Sequence, residues 1–400
     1  MAETTEVKVL ADVEEAPHLQ LNQDGSSIDL SNWQEPANRN YGYRHVVEIL
    51  PSTQKISRGE CGVHSLNPND VDISSVSVEY RQRDMQLEEF LFESHCDGFI
   101  VLKGDDIIYE NHRRMTSEER HLCQSVSKTT ICSVIGGLIT EGVIDVEQTV
   151  DYYLPEVGSG FNGVKIQNLL DMNVGLKFTE DFTNPDSDIH DYEIVSLWRP
   201  ERDNLGKNGQ LSYICGIEHD PDLLLNDVTQ YLCPNTDTLV CIIERTTGKP
   251  FTTVFEENIY SHIGAQADAY FSVDSQGTAI GSGGLIIGLR DLARYGQVFA
   301  NYGVANDGAQ VIPRYWLDDC LDTSKGTNYY VGNSYKYHNQ MTSNGRAFCH
   351  LGIGGQMIYA NPETKVVVIQ FSTLTSLSCG DIDVANALYG IAERIDSFLS

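Results

Sequence analysis

Residues 125–143 read SVSKTTICSVIGGLITEGV. Ile131, Val134, Ile135, Leu138 and Ile139 recur at helical spacing, so a buried helix is expected. Gly136-Gly137 weakens that helix by about 1 kcal/mol per glycine, and a close approach by another helix would be a reason to keep the pair. The helix opens on Ser125-Val126-Ser127-Lys128. Residues three apart on a helix share a face, with Cβ atoms about 5–6 Å apart. A lysine there can take the serine proton if its surroundings lower its pKa, and the helix N-terminus favours the negative charge that develops. Spacing alone does not single out Ser125, because Ser52-Thr53-Gln54-Lys55 has the same form. That second match follows Pro51 in a polar stretch and reads as surface loop.

To the N-terminal side, Phe99-Ile100-Val101-Leu102 and Ile107-Ile108-Tyr109 flank Lys103-Gly104-Asp105-Asp106, a hairpin pattern too apolar to be half exposed. Near the other end, Met357-Ile358-Tyr359-Ala360 and Lys365 to Phe371 flank Asn361-Pro362-Glu363-Thr364, a second hairpin. The last twenty residues have an amphipathic helical pattern. Between about 145 and 270, short helical stretches alternate with loops. This order implies an α+β fold, an antiparallel sheet built from both chain ends and flanked by helices, with a mainly helical region inserted. The expected division is an N-terminal arm over 1–45, a split sheet domain over 46–120 and 275–400, and a helical domain over 121–274.

The chain has 400 residues, 41% hydrophobic and 21% charged, with 34 Gly and 12 Pro, a globular composition. Its 27 basic and 57 acidic side chains leave a formal charge of −30, which disfavours nucleic acid and anionic membranes as partners. A cationic substrate, a saline habitat and ordinary solubility all fit such a charge. No secretory pattern or membrane-length apolar run is visible, so the cytoplasm is the expected location. The ten cysteines show no C-x-x-C spacing, so reduced thiols are expected, and no metal site.

Two further patterns bear on chemistry. Tyr231-Leu232-Cys233-Pro234-Asn235-Thr236-Asp237 precedes an expected helix from Thr238 to Arg245, and a tyrosine so placed can relay protons. Leu351-Gly352-Ile353-Gly354-Gly355-Gln356 is glycine-rich, which lets a substrate approach the backbone and amides form an oxyanion hole.

These residues resemble the 6-aminohexanoate-dimer hydrolases, which share the serine β-lactamase and penicillin-binding-protein fold and lie close to its carboxylesterases. The resemblance runs through Asn32-Trp33-Gln34-Glu35-Pro36, Leu50-Pro51-Ser52, the Ser125 motif, Leu170-Asp171-Met172, Glu180-Asp181, Tyr231 with Asn235-Thr236-Asp237, Glu244-Arg245, Arg290 to Arg294, and Gly352-Ile353 with Gly355-Gln356. It implies Ser125 as nucleophile, Lys128 as base, Tyr231 as proton relay, and the amides of Ser125 and Ile353 as oxyanion hole. Phe182, Asn235, Gly352 and Gly354 are the implied substrate contacts, and Asp191, in the nearby His190-Asp191 pair, either lines the pocket or sits in a solvated loop, the usual place of a charged loop residue. It implies no cofactor, takes a small amide or ester as substrate, and leaves a homodimer open.

Departures narrow the expectation. The Lys-Thr-Gly triplet of true β-lactamases is absent, which counts against antibiotic hydrolysis. Gly354 stands where the nylon-oligomer enzymes carry His, and Phe182 where they carry a Tyr that assists the amide nitrogen. An esterase is therefore expected to outweigh an amidase here. A β-lactamase or D-amino-acid peptidase, and a non-catalytic binding protein of the same fold, are the rival readings.

Overall fold

The computed structural model describes residues 27–223, 229–328, 335–374 and 382–400. The tip of the expected arm, residues 1–26, and Cys379 lie outside the described residues.

The two apolar hairpins meet in the centre of one sheet. Cys96–Lys103 pairs with Asp106–His112 on one side and with Val366–Ser372 on the other. The sheet then continues through Gln356–Ala360, Phe348–Gly352, Met341–Ser343, Lys336–His338 and Thr327–Asn328. All these pairs are antiparallel; Asn67–Pro68 adds a short parallel strand at the opposite edge. Side chains along the central strands alternate between two cores. Ile100, Leu102, Val367 and Ile369 join the larger core, which also holds Leu292 and Val298 of the helix Leu289–Ala300. Phe99, Val101, Val366 and Val368 join the smaller one with Leu388, Ile391 and Ile395 of the C-terminal helix Ile382–Leu399. Both faces are thus buried, which is why these strands read as continuous apolar runs rather than alternating ones.

The helical region contributes Val150–Tyr153, Ile166–Leu170, Asp188–Val195, Gly209–Ile214, Cys233–Thr247 and Phe251–Asn258. Against this mass lies the helix Lys128–Thr140, entered through a tight 3-10 turn at Gln124–Ser127. Gly136 explains half of the glycine pair. A Cβ there would come within 2.5 Å of the Trp316 ring, and Trp316 Nε1 donates to the Cys132 carbonyl at 2.9 Å. Gly137 faces open space, and nothing in the structure explains it.

Three local expectations need correction. Ser52-Thr53-Gln54-Lys55 is not surface loop: Thr53–Ile56 is a strand paired with Ala269–Ser272 in a second, four-stranded sheet. Lys55 there pairs with Asp268 at 3.4 Å. That small sheet also takes in Leu285–Gly288 and Arg120–Leu122, so the strand before residue 274 belongs with sheet rather than with helices. Finally, the helix after Tyr231 begins at Cys233, with Pro234 in its first turn, where a missing N–H is harmless.

Candidate active site

The turn before the long helix places the motif. Gln124 has φ +49, and this left-handed residue swings Ser125 to the mouth of a cleft between the helical mass and the sheet. Lys128 follows one turn on and is fully buried. Its Nζ donates to Ser125 Oγ at 3.1 Å, to the Ser282 carbonyl at 2.8 Å and toward Cys233 Sγ at 3.8 Å. Three N–H groups and three acceptors fix the lysine in one pose. The Tyr231 ring lies beside it, 4.8 Å from Nζ to the ring centre, and the Tyr231 phenol hydrogen-bonds the Ser125 hydroxyl.

Electrostatics set the resting protons. Burial works against the Lys128 ammonium, but the acidic groups around it (Cys233, Tyr231, Glu180 and Asp237) outweigh that and hold its pKa above the ordinary lysine value. Burial pushes the Tyr231 phenol up to about 12, with Lys128 pulling the other way. At neutral pH the phenol is thus neutral, and the charge that steadies the ammonium is that of the Glu180 and Asp237 carboxylates.

Sequence reading missed four residues that hold this pair. Glu180 accepts the Cys233 N–H at 2.7 Å and the Cys233 thiol at 3.1 Å, and burial raises its pKa. Cys233 thus bridges Glu180 and Lys128 and is no mere apolar filler. Asp237 accepts from the Ser282 amide and hydroxyl at 2.8 Å each and from Tyr192 at 2.9 Å, and so fixes the segment whose carbonyl holds Lys128. Burial lifts its pKa to about 6. His350, on the strand Phe348–Gly352, brings Nε2 to 3.2 Å from Tyr231 Oη. Glu180 and Asp237 lie within the motif-like stretches Glu180-Asp181 and Asn235-Thr236-Asp237, which was the available signal; His350 gave none.

The remaining expected contacts divide. Phe182 and Ile353 line the cleft with Ser125. Gly352 packs against the turn at Gln124–Ser127, where a Cβ would meet the Cys123 carbonyl at 2.8 Å; only glycine lets the strand end approach so closely. Gly354 has φ +81 and carries the turn that follows. Asn235 is fully buried inside the helix and donates toward Met172 Sδ at 3.4 Å and the Gln230 carbonyl, so the structure corrects its placement as a substrate contact. Asp191 is corrected likewise: it sits on the helix Asp188–Val195, paired with Arg202, and does not line the cleft. The N-terminal segment supplies a wall that was not expected. Gln34 and Tyr43 line the cleft, with Tyr43 accepting from Gln124 Nε2 at 2.9 Å. Trp33 anchors the segment by donating to the Trp198 carbonyl at 2.9 Å. Among the described residues, no cluster of three or more His, Cys, Asp or Glu could hold a metal ion, and no helix is long and apolar enough to cross a membrane.

A serine, lysine and tyrosine gathered at such a cleft, on this sheet and helix arrangement, define a class. The family model described as Beta-lactamase matches residues 93–385, and the chain belongs to that family of hydrolases. Within it, the chain is 30% identical over 355 residues to the 6-aminohexanoate-dimer hydrolase of Paenarthrobacter ureafaciens, covering 86% of this chain and 88% of that protein. It also superposes with a TM-score of 0.81 on a Bacillus anthracis protein to which the 6-aminohexanoate-dimer hydrolase name is provisionally attached, at 25% identity, covering 94% of this chain and 99% of the other. EstCE1, described as a hydrolase with promiscuous acyltransferase activity, shares the fold at a TM-score of 0.59 and 14% identity, over 77% of this chain and 96% of its own.

Proposed function

We propose that this hydrolase cleaves small linear carboxylic esters, and linear amides more slowly, through an acyl-serine on Ser125. The observation that carries the reading is the Lys128 Nζ at 3.1 Å from Ser125 Oγ, buried, with Tyr231 bonded to the same hydroxyl. The reactive form has Lys128 as the neutral amine, which the surrounding acids make the minor form at neutral pH. Ser125 Oγ attacks the carbonyl carbon as its proton passes to Lys128 Nζ. When the ester or amide bond breaks, Tyr231 gives its proton to the leaving oxygen or nitrogen and regains one from Lys128. Water then attacks the acyl carbon as one of its protons passes to the neutral Lys128 amine, and Lys128 returns a proton to the departing Ser125 Oγ, freeing the acid and the serine hydroxyl. The carbonyl oxygen is assigned to the amides of Ser125 and Ile353, a reading supported by both residues lining the same cleft.

Phe182 supports ester over amide. It lines the cleft but offers no hydroxyl to steady a leaving nitrogen, and an amide departs only when its nitrogen is protonated. Comparing kcat/KM on a short-chain nitrophenyl ester and a linear amide tests this. Faster ester turnover is expected; equal turnover on the two would contradict it.

A further inference from the structure

His350 is a buried imidazole that faces the phenol of Tyr231. It is 1% exposed, its Nε2 is 3.2 Å from Tyr231 Oη, and its ring lies 6.0 Å from that of Tyr337 in an edge-on contact. Among the described residues its Nδ1 has no hydrogen-bond partner. The charged group acting on it is Lys128. Burial, helped by that cation, pushes its pKa down to about 3, so it is neutral at any working pH.

A neutral imidazole carries one N–H. Buried N–H groups without a partner are rarer than buried acceptors without one, which puts the proton on Nε2 and leaves the bare lone pair on Nδ1. Nε2–H then donates to Tyr231 Oη, and the phenol's own proton is left to point toward Ser125. We infer that His350 is a positioning residue for Tyr231: its Nε2–H bond orients the phenol and stabilises the negative charge that grows on Oη as Tyr231 protonates the leaving group. The tyrosine proton goes to the leaving oxygen or nitrogen as the acyl bond breaks, and His350 keeps its own proton throughout. The inference rests on the acyl-serine reading above.

A nitrophenolate leaves without a proton, whereas an alkoxide or amine needs one. Loss of the His350 donor should therefore spare nitrophenyl esters and penalise alkyl esters and amides. The experiment measures kcat/KM for a nitrophenyl acetate and an alkyl acetate on wild type, His350→Gln, His350→Asn and His350→Leu, with fluorophosphonate labelling of Ser125 in each. A hydrogen bond to a charged group suggests a fall of about 10- to 100-fold on the alkyl ester for His350→Asn, whose amide is too short, and for His350→Leu. His350→Gln, whose amide N–H reaches the Nε2 position, should recover most of it. The asparagine variant keeps the comparison open if the leucine variant does not fold. Equal losses on both esters, or no loss on the alkyl ester, would overturn the inference while labelling persists. Failure of wild type to label would instead overturn the nucleophile assignment beneath it.

Discussion

Lys128 shows how a buried charge is kept inside this protein. A buried ammonium is tolerated only when its donors are met, and Ser125, Ser282 and Cys233 meet all three. The same acids that stabilise the ammonium oppose the proposed role of Lys128 as a base, so on that proposal the site combines a firmly placed lysine with a sparse reactive form. Phe182 bears on specificity at the same scale. Phe182→Tyr adds a hydroxyl at the cleft wall without changing the packing, and it should raise amide kcat/KM by about 10-fold, the worth of one hydrogen bond, with little effect on nitrophenyl esters. An unchanged ratio of amide to ester turnover would show that the ring edge does not reach the leaving group.

Elements hold these residues through a few buried polar clamps. His338, on the short strand Lys336–His338, has Nδ1 2.7 Å from Asp171 at the end of the helix Ile166–Leu170 and Nε2 2.8 Å from Asp319 on the helix Arg314–Leu321. Burial alone would lower its pKa, but the bonds to Asp171 and then Asp319 outweigh it and raise the value above 6.5. A raised folded pKa stabilises the fold fully below the ordinary histidine value, and that stability is lost as pH rises through the folded one. His338→Asn should therefore cost about 1–3 kcal/mol at pH 6, and the gap in melting temperature between variant and wild type should narrow toward pH 9. A gap that does not change with pH would contradict the clamp.

Across the whole molecule, what could be read from the chain and what could not divide along the range of the interactions. The hairpins at 96–112 and 356–372 and the helices after Ser125 and at the C-terminus were legible because each is a local run of apolar residues in a regular period. The strand Thr53–Ile56 was not, since a short polar edge strand takes its pairing from Ala269–Ser272, far along the chain. The early start of the helix at Cys233 hid behind Cys-Pro-Asn-Thr, which reads as a loop until the proline is seen to sit in the first turn. At the site, Ser125, Lys128 and Tyr231 stood out by motif and order. Cys233 and His350 gain their meaning only from contacts in the folded chain, which spacing does not encode, and the motif-like stretches that carry Glu180 and Asp237 do not say what those carboxylates touch. The rival of a binding protein that keeps this fold shares every one of these contacts, and only reactivity separates the two. Incubation with a fluorophosphonate probe followed by peptide mass mapping is the direct measurement. The account predicts one phosphonylated residue, Ser125, in wild type and no labelling of Ser125→Ala. An unlabelled wild type, or equal labelling of the two proteins, would contradict it.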